Sequence, residues 1–209
     1  MPTPNEVTQI AVRHGRDKKR NNAIAAVLCG VLPAAALSSH PSSNSIPFHP
    51  WSSWLIGVTV GLIWGNAFEY VYHRWLLHES RGRLGVGHRQ HHAQIGTPEQ
   101  AEYVALITSP LNIVFLFVIN GIPAVLISSL IGSWGVLPGV FIGWASYLIM
   151  TEEIHWRIHM GGWLPPGLRF ARAYHMSHHA RPNSRYNVFL PLFDFLFGNM
   201  RQGKTKVPV

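Results

Sequence analysis

Long apolar stretches separated by short polar ones make up most of the chain. Residues 51–72 form a run as long as a membrane-spanning helix, which needs about 20 residues. Residues 105–152 are almost uncharged, and they are long enough for two spans joined by a turn near residues 132–135. The pattern predicts an all-α, multi-pass membrane helix bundle. Its four transmembrane helices are expected at about residues 23–37, 51–72, 109–130 and 136–155.

The first apolar run has two interpretations. Residues 1–22 are polar and basic, and we expect them to form a mobile arm ahead of a single membrane domain, residues 23–209. Residues 23–37 are short for a span, and with three alanines at their end they also resemble a cleaved signal peptide. The length of the polar arm favours a retained first span.

The distribution of charged residues predicts how the helix bundle is oriented in the membrane. Hydrophobic residues are 47% of the chain and charged residues only 12%, a composition that suits a membrane protein. With four spans, all 17 Lys and Arg fall on one side, and none lies in the loop at residues 38–50. Because Lys and Arg mark the cytoplasmic side, we expect both termini and a helical cap (residues 73–104 and 156–209) in the cytosol. The membrane would be the bacterial inner membrane or the endoplasmic reticulum.

Composition also argues against other classes. The net charge of +8 could indicate a nucleic-acid partner, but no basic run is interleaved with aromatic residues, so none is expected. Cys29 is the only cysteine, which excludes a disulfide framework and a thiolate metal cage. No nucleophile, Gly-rich loop or acid pair suggests hydrolysis or phosphoryl transfer.

Ten of the 13 histidines form two clusters built on similar plans, each a spaced pair followed by an HxxHH run. They are His73, His78, His88, His91 and His92, then His155, His159, His175, His178 and His179. On a helix, positions i, i+3 and i+4 share a face, so each HxxHH run is expected to point three imidazoles the same way. His73 and His78 are five residues apart, about 140° on an α-helix, so we expect them to straddle a helix end or to face different ions. We interpret His14, His40 and His49 as ordinary histidines.

So many imidazoles are best explained by metal binding, because neutral ring nitrogens are metal ligands. Ten are too many for one ion, since zinc is saturated by about four. The clusters therefore predict a dimetal site. Imidazole suits iron, zinc and copper alike, so the ligands alone leave the metal open.

The sequence resembles the fatty acid hydroxylase/sterol desaturase superfamily. The superfamily pattern of HxxxxH, HxxHH, HxxxH and HxxHH matches the ten histidines in order, and the context Glu69-Tyr70-Val71-Tyr72-His73-Arg74 is also similar. So is the stretch from Asn187 to Asp194. The resemblance implies a membrane di-iron enzyme that uses O₂, with the ten histidines as metal ligands and no other catalytic side chain. Because zinc stands above Fe²⁺ in the affinity order of divalent metals, we expect that zinc can replace the two irons in purified protein.

Three functions are compatible with these features. The HxxxH spacing at His155 and His159 is closer to the fatty acid hydroxylases, which favours hydroxylation of a fatty acyl or sphingolipid-like chain. A carotenoid or sterol hydroxylase or desaturase of the same superfamily is the alternative, and a membrane metal-handling protein is more remote. Because the chain shows no fused cytochrome b5 domain, we expect electrons from a separate electron-transfer protein.

Other polar and apolar groups are assigned supporting roles. Glu69, Glu152 and Asp194 are predicted to orient ligand histidines by accepting their free N–H, against the alternative of plain interface charges. Residues 163–170 and 188–197 are too short to span. They are expected either to lie in the membrane interface or to pack in the core beside the histidines.

Overall fold

The computed structural model describes residues 2–39 and 50–200, and all regular elements in these two ranges are helical. The α-helices are α1 (Pro4–Ser38), α2 (Pro50–Val71), α3 (Arg83–Ala93), α4 (Pro110–Ile131), α5 (Leu137–His159), α6 (Phe170–Ala180) and α7 (Leu192–Leu196). A π-helical segment, Tyr72–Glu79, continues α2 without a break. Short 3₁₀ turns occur at Gln100–Tyr103, Trp134–Val136 and Pro166–Leu168.

Four of the described helices are long and apolar enough to cross a membrane. They are Pro4–Ser38, Trp51–Glu79, Pro110–Ile131 and Trp134–His159. The predicted all-α fold with four candidate spans and a His-rich cluster is therefore confirmed. The predicted turn near Gly132 is also present, because α4 ends at Ile131 and Gly132 adopts a left-handed backbone (φ 65°). Residues 40–49 of the predicted loop lie outside the described residues.

Helix α1 differs from the expected arm and short span. It begins at Pro4, where Thr3 and Glu6 form a capping box that satisfies the first free N–H groups. Residues 4–22 are therefore helical and continuous with the apolar half. The basic part lies against the cap: Lys18 donates to the backbone carbonyl of Glu102 (2.8 Å), and Lys19 pairs with Glu153.

Helices α2 and α5 form the centre of the bundle and pack backbone to backbone. Each carries a GxxxG pair on the contact, Gly57 and Gly61 on α2, Gly139 and Gly143 on α5. A Cβ at Gly61 would lie 2.3 Å from the carbonyl oxygen of Val140. Small residues permit this approach, which is a common device for packing membrane helices. The contact fixes the ends of α2 and α5, from which four of the ten histidines project.

The two short apolar segments turn out to be divided between core and surface. Leu164, Val188 and Phe189 are buried in the core. Trp163 and Phe195 are 65% and 69% exposed. Core packing is therefore confirmed for part of each segment, and the cap presents large apolar side chains beside its packed interior.

Candidate metal centre

The ten cluster histidines come together in two compact groups. The first group, which we call group A, consists of His73, His78, His88, His92 and His178. The second, group B, consists of His91, His155, His159, His175 and His179. In each group, one ring nitrogen per histidine lies within 4.8 Å of the others. His14 lies on an exposed part of α1 and belongs to neither group, and His40 and His49 lie outside the described residues.

The π-helical segment explains the HxxxxH spacing. A π-helix closes its hydrogen bonds between residues i and i+5, so residues five apart lie nearly above one another. The rings of His73 and His78 are stacked with their centroids 5.0 Å apart. The expectation that they straddle a helix end or face different ions is wrong, because it assumed α-helical geometry. Both histidines belong to group A.

Each HxxHH run is shared between the groups. His88 and His92, four residues apart on α3, join group A, while His91 joins group B. On α6 the assignment is reversed, since His175 and His179 join group B and His178 joins group A. The expectation that the three imidazoles of each run point the same way is therefore wrong, because they are divided between the two groups. The groups are adjacent, with the rings of His92 and His179 only 4.2 Å apart.

The Nε2 atoms converge at metal-like spacings. In group A, His88 Nε2 lies 3.0 Å from those of His73 and His78 and 3.1 Å from that of His92. In group B, His175 Nε2 lies 2.9 Å from that of His155 and 3.0 Å from that of His159. With a metal–nitrogen bond of about 2.1 Å, ligands at right angles lie about 3.0 Å apart and tetrahedral ligands about 3.4 Å apart. The spacing fits ions with five nitrogens at near-right angles better than four-coordinate ions.

The imidazoles are suited to be neutral ligands. Burial and then neighbouring imidazoles lower the pKa of His88, His91 and His175 far below the usual range. Burial likewise lowers the pKa of His92 to about 4 and that of His178 to about 3. The rings are therefore uncharged near neutral pH. Five lone pairs that converge in this way repel one another unless a cation lies between them, so the residues fit a metal ion in each group.

Backbone carbonyls fix two rings of group A. His73 Nδ1 donates to the carbonyl of Tyr186, and His178 Nδ1 donates to that of Ser184 at 2.6 Å. Because a carbonyl can only accept, the proton of each ring lies on Nδ1 and the lone pair of Nε2 is left free. The loop at residues 184–190 thus orients two histidines. The sequence indicated this region only by resemblance and did not predict its role, because backbone carbonyls leave no signature in the sequence.

The three predicted carboxylates do not contact the histidines directly; their hydrogen bonds within the described chain are to other groups. Glu69 accepts from Tyr147 (2.7 Å), Asn187 (2.8 Å) and the backbone N–H of Val188 (3.3 Å). Glu152 accepts from the backbone N–H of Ile107 at 2.9 Å. Their role is one step removed from the predicted one, because they fix the segments around the histidines.

Asp194 illustrates this indirect role most clearly. It is fully buried and accepts from the backbone N–H groups of Tyr186 (2.9 Å) and Asn187 (2.7 Å) and from the hydroxyl of Tyr174 (2.9 Å). It therefore holds the loop whose carbonyl orients His73. Asn187 joins the same network by donating to the carbonyl of Asn66 and to Glu69. Hydrogen bonds therefore join the loop to α2 on one side and to α7 on the other.

Comparison with known proteins agrees with this arrangement. The profile of the family described as "Fatty acid hydroxylase" matches residues 58–199, about two thirds of the chain and all ten clustered histidines. The chain belongs to the fatty acid hydroxylase family. No match was found among curated proteins or among solved structures. Membership confirms the superfamily resemblance and indicates an oxidoreductase of the membrane hydroxylase and desaturase type.

Proposed function

We propose that this member of the fatty acid hydroxylase family is an O₂-dependent di-iron monooxygenase that hydroxylates a C–H bond of a membrane lipid chain. The observation that carries the proposal is the pair of five-nitrogen groups at the ends of α2 and α5. Five nitrogens occupy most positions around an ion but leave room for one more ligand. Iron bound there would supply the oxygen activation that an inert C–H bond requires.

The protein's own contribution is to orient the metal ligands and to exclude water from the site. The ten imidazoles bring no negative charge to the metal, unlike the carboxylates of soluble di-iron bundles. The ring of buried Tyr186 lies 5.8 to 6.0 Å from the rings of His73, His78 and His178, so it shields this side of group A from bulk water. Exposed Trp75, on the π-helical segment, belongs to the surface that a lipid chain would meet first.

The proposal includes a cytosolic metal centre and a separate electron donor. Support for the orientation comes from α1, whose Lys18 and Lys19 contact the cap on the same side as the histidines. Basic residues therefore gather at the end of the bundle that carries the metal groups, as expected for the cytoplasmic side. Electrons from a soluble or peripheral protein would reach the site from this side.

Lipid analysis after labelling with ¹⁸O₂ tests the proposal. Cells that express the wild type should contain a lipid with one added ¹⁸O, and cells that express His178→Ala should not. A matched control is His14→Ala, which alters an exposed histidine outside both groups and should keep the product. A product with a new double bond and no label would show desaturation instead. The chemical class of the labelled lipid separates an acyl or sphingolipid-like substrate from a carotenoid or sterol.

A metal-handling protein remains the competing function. It is favoured by nothing beyond the histidines themselves. Unchanged lipids, together with metal uptake into the cell that depends on the protein, would decide for it and against the hydroxylase.

A further inference from the structure

The two histidine groups differ in what holds their rings. In group A, Nδ1 of His73 and of His178 each donates to a carbonyl of the loop at residues 184–190. That loop is itself fixed by the buried carboxylates of Glu69 and Asp194. A metal-bound imidazole whose second nitrogen has a firm acceptor is oriented in advance and is a more basic ligand.

Group B lacks this kind of support among the described residues. The buried Nδ1 atoms of His155, His159, His175 and His179 have no hydrogen-bond partner there. Nδ1 of the fifth ring, His91, likewise makes no hydrogen bond there, although the backbone carbonyl of Tyr103 lies nearby. When Nε2 binds an ion, each Nδ1 must carry the proton, so five buried N–H donors lack a hydrogen-bonded protein acceptor. This opposes ion binding in group B.

We propose that the two ions are held unequally: group A is the permanent metal site, group B exchanges its ion more readily, and Asp194 is the positioning residue responsible for the difference. The inference rests on the proposed dimetal site. Asp194 acts through the loop, because its two oxygens accept from Tyr186, Asn187 and Tyr174 at once. Loosening the loop should therefore release the group A ion and leave group B unchanged.

Zinc release to a chelator tests this inference without any need for enzyme turnover. The full-length protein in detergent is loaded with zinc and mixed with excess EDTA, and the metal left per chain is followed over time. We expect one equivalent to leave about 10- to 100-fold more slowly than the other, the range by which such supporting contacts change metal affinity. His155→Ala should lose only the fast phase, and His73→Ala only the slow phase.

Asp194→Asn places an amide N–H against backbone donors and should accelerate the slow phase by about tenfold or more, with the fast phase unchanged. Tyr174→Phe removes one of the three donors and should act in the same direction more weakly. Phe117→Ala is the matched control, because it removes a buried ring that stacks on Trp144 in the bundle, 4.3 Å between centroids, rather than in the metal groups. It should leave both phases as in the wild type.

Several results would overturn the inference. Two equivalents that leave in a single phase would show equal sites, and equal acceleration of both phases by Asp194→Asn and Phe117→Ala would show general destabilisation. Fewer than two equivalents at saturation would instead contradict the dimetal site itself, so the two failures are distinguishable. The comparison of Asp194→Asn with the wild type decides the question even if a histidine variant does not fold.

Discussion

At the scale of single residues, the candidate metal centre is a set of buried and half-buried imidazoles, of which His73 and His178 are held by backbone carbonyls. A buried imidazole stays in its neutral form, because the charged form is costly in a low-dielectric environment. In the metal-free protein the Nε2 lone pairs of these rings repel one another, because they converge at about the spacing of metal ligands. Metal binding and folding of the cap are therefore expected to be coupled.

Acidification should destabilise the metal-free protein. The pKa of His92 is lowered to about 4 and that of His178 to about 3, whereas histidine in an unfolded chain has a pKa of about 6.5. Below pH 6.5 the unfolded state binds more protons than the folded state, so the free energy of unfolding falls as pH decreases from about 6.5 towards 4. We expect the Tm of chelated protein in detergent to drop steadily over this window.

The control for this pH series is the double variant His92→Asn and His178→Asn, which removes two of the titrating rings. Its Tm should depend less steeply on pH than that of the wild type. A Tm that stays constant or rises on acidification would contradict the buried, neutral state of these histidines.

At the scale of elements, the sequence predicted which histidines matter but not how they divide. The lengths of the apolar runs located the four candidate spans, because a run of about 20 apolar residues is what a membrane-spanning helix requires. The split of each HxxHH run depends on where two neighbouring helices point, which is a tertiary property. The π-helical segment was missed because His73 and His78 carry no local signal that distinguishes π- from α-helix. The basic half of α1 was taken for a mobile arm because its contacts, such as that of Lys18 with Glu102, join distant parts of the chain.

The GxxxG contact between α2 and α5 was also not recognised from the sequence, although its signal was present. A Cβ added at Gly143 would lie 2.3 Å from the carbonyl oxygen of Val58, which is backbone and cannot move aside. Gly143→Val should therefore force the helices apart and destabilise the protein by about 3 kcal/mol, the upper end of the usual cost of overpacking. The expected result is a low yield of folded protein with less than two equivalents of metal.

Gly167→Ala is the matched control, since a Cβ there meets no atom within 4 Å. It should leave yield, Tm and metal content unchanged. A Gly143→Val protein with wild-type Tm and metal content would show that the close contact of α2 and α5 does not determine the geometry of the histidine groups.

At the scale of the whole molecule, charge and histidines are distributed unequally between the two ends of the bundle. One end carries basic residues and both histidine groups, which come from the basic half of α1, the π-helical segment, α3, α6 and the end of α5. At the other end, α4 and α5 are joined by a short turn without Lys or Arg. For the proposed hydroxylase, this arrangement predicts that a lipid chain approaches the histidine groups from the bilayer and that an electron donor approaches them from the aqueous side.

This asymmetry predicts the orientation in the membrane. In a Cys29→Ala background, Ser39→Cys lies at the end of α1 remote from the histidines, and Asn183→Cys lies in the exposed loop after α6. With the basic end in the cytosol, an impermeant maleimide added to intact bacterial cells should label Ser39→Cys and should reach Asn183→Cys only after permeabilisation. The unmodified Cys29→Ala protein shows the background. Labelling of Asn183→Cys but not Ser39→Cys in intact cells would reverse the topology and move the electron donor to the opposite compartment. Equal labelling of both before permeabilisation would mean that the four helices do not span the membrane as a bundle.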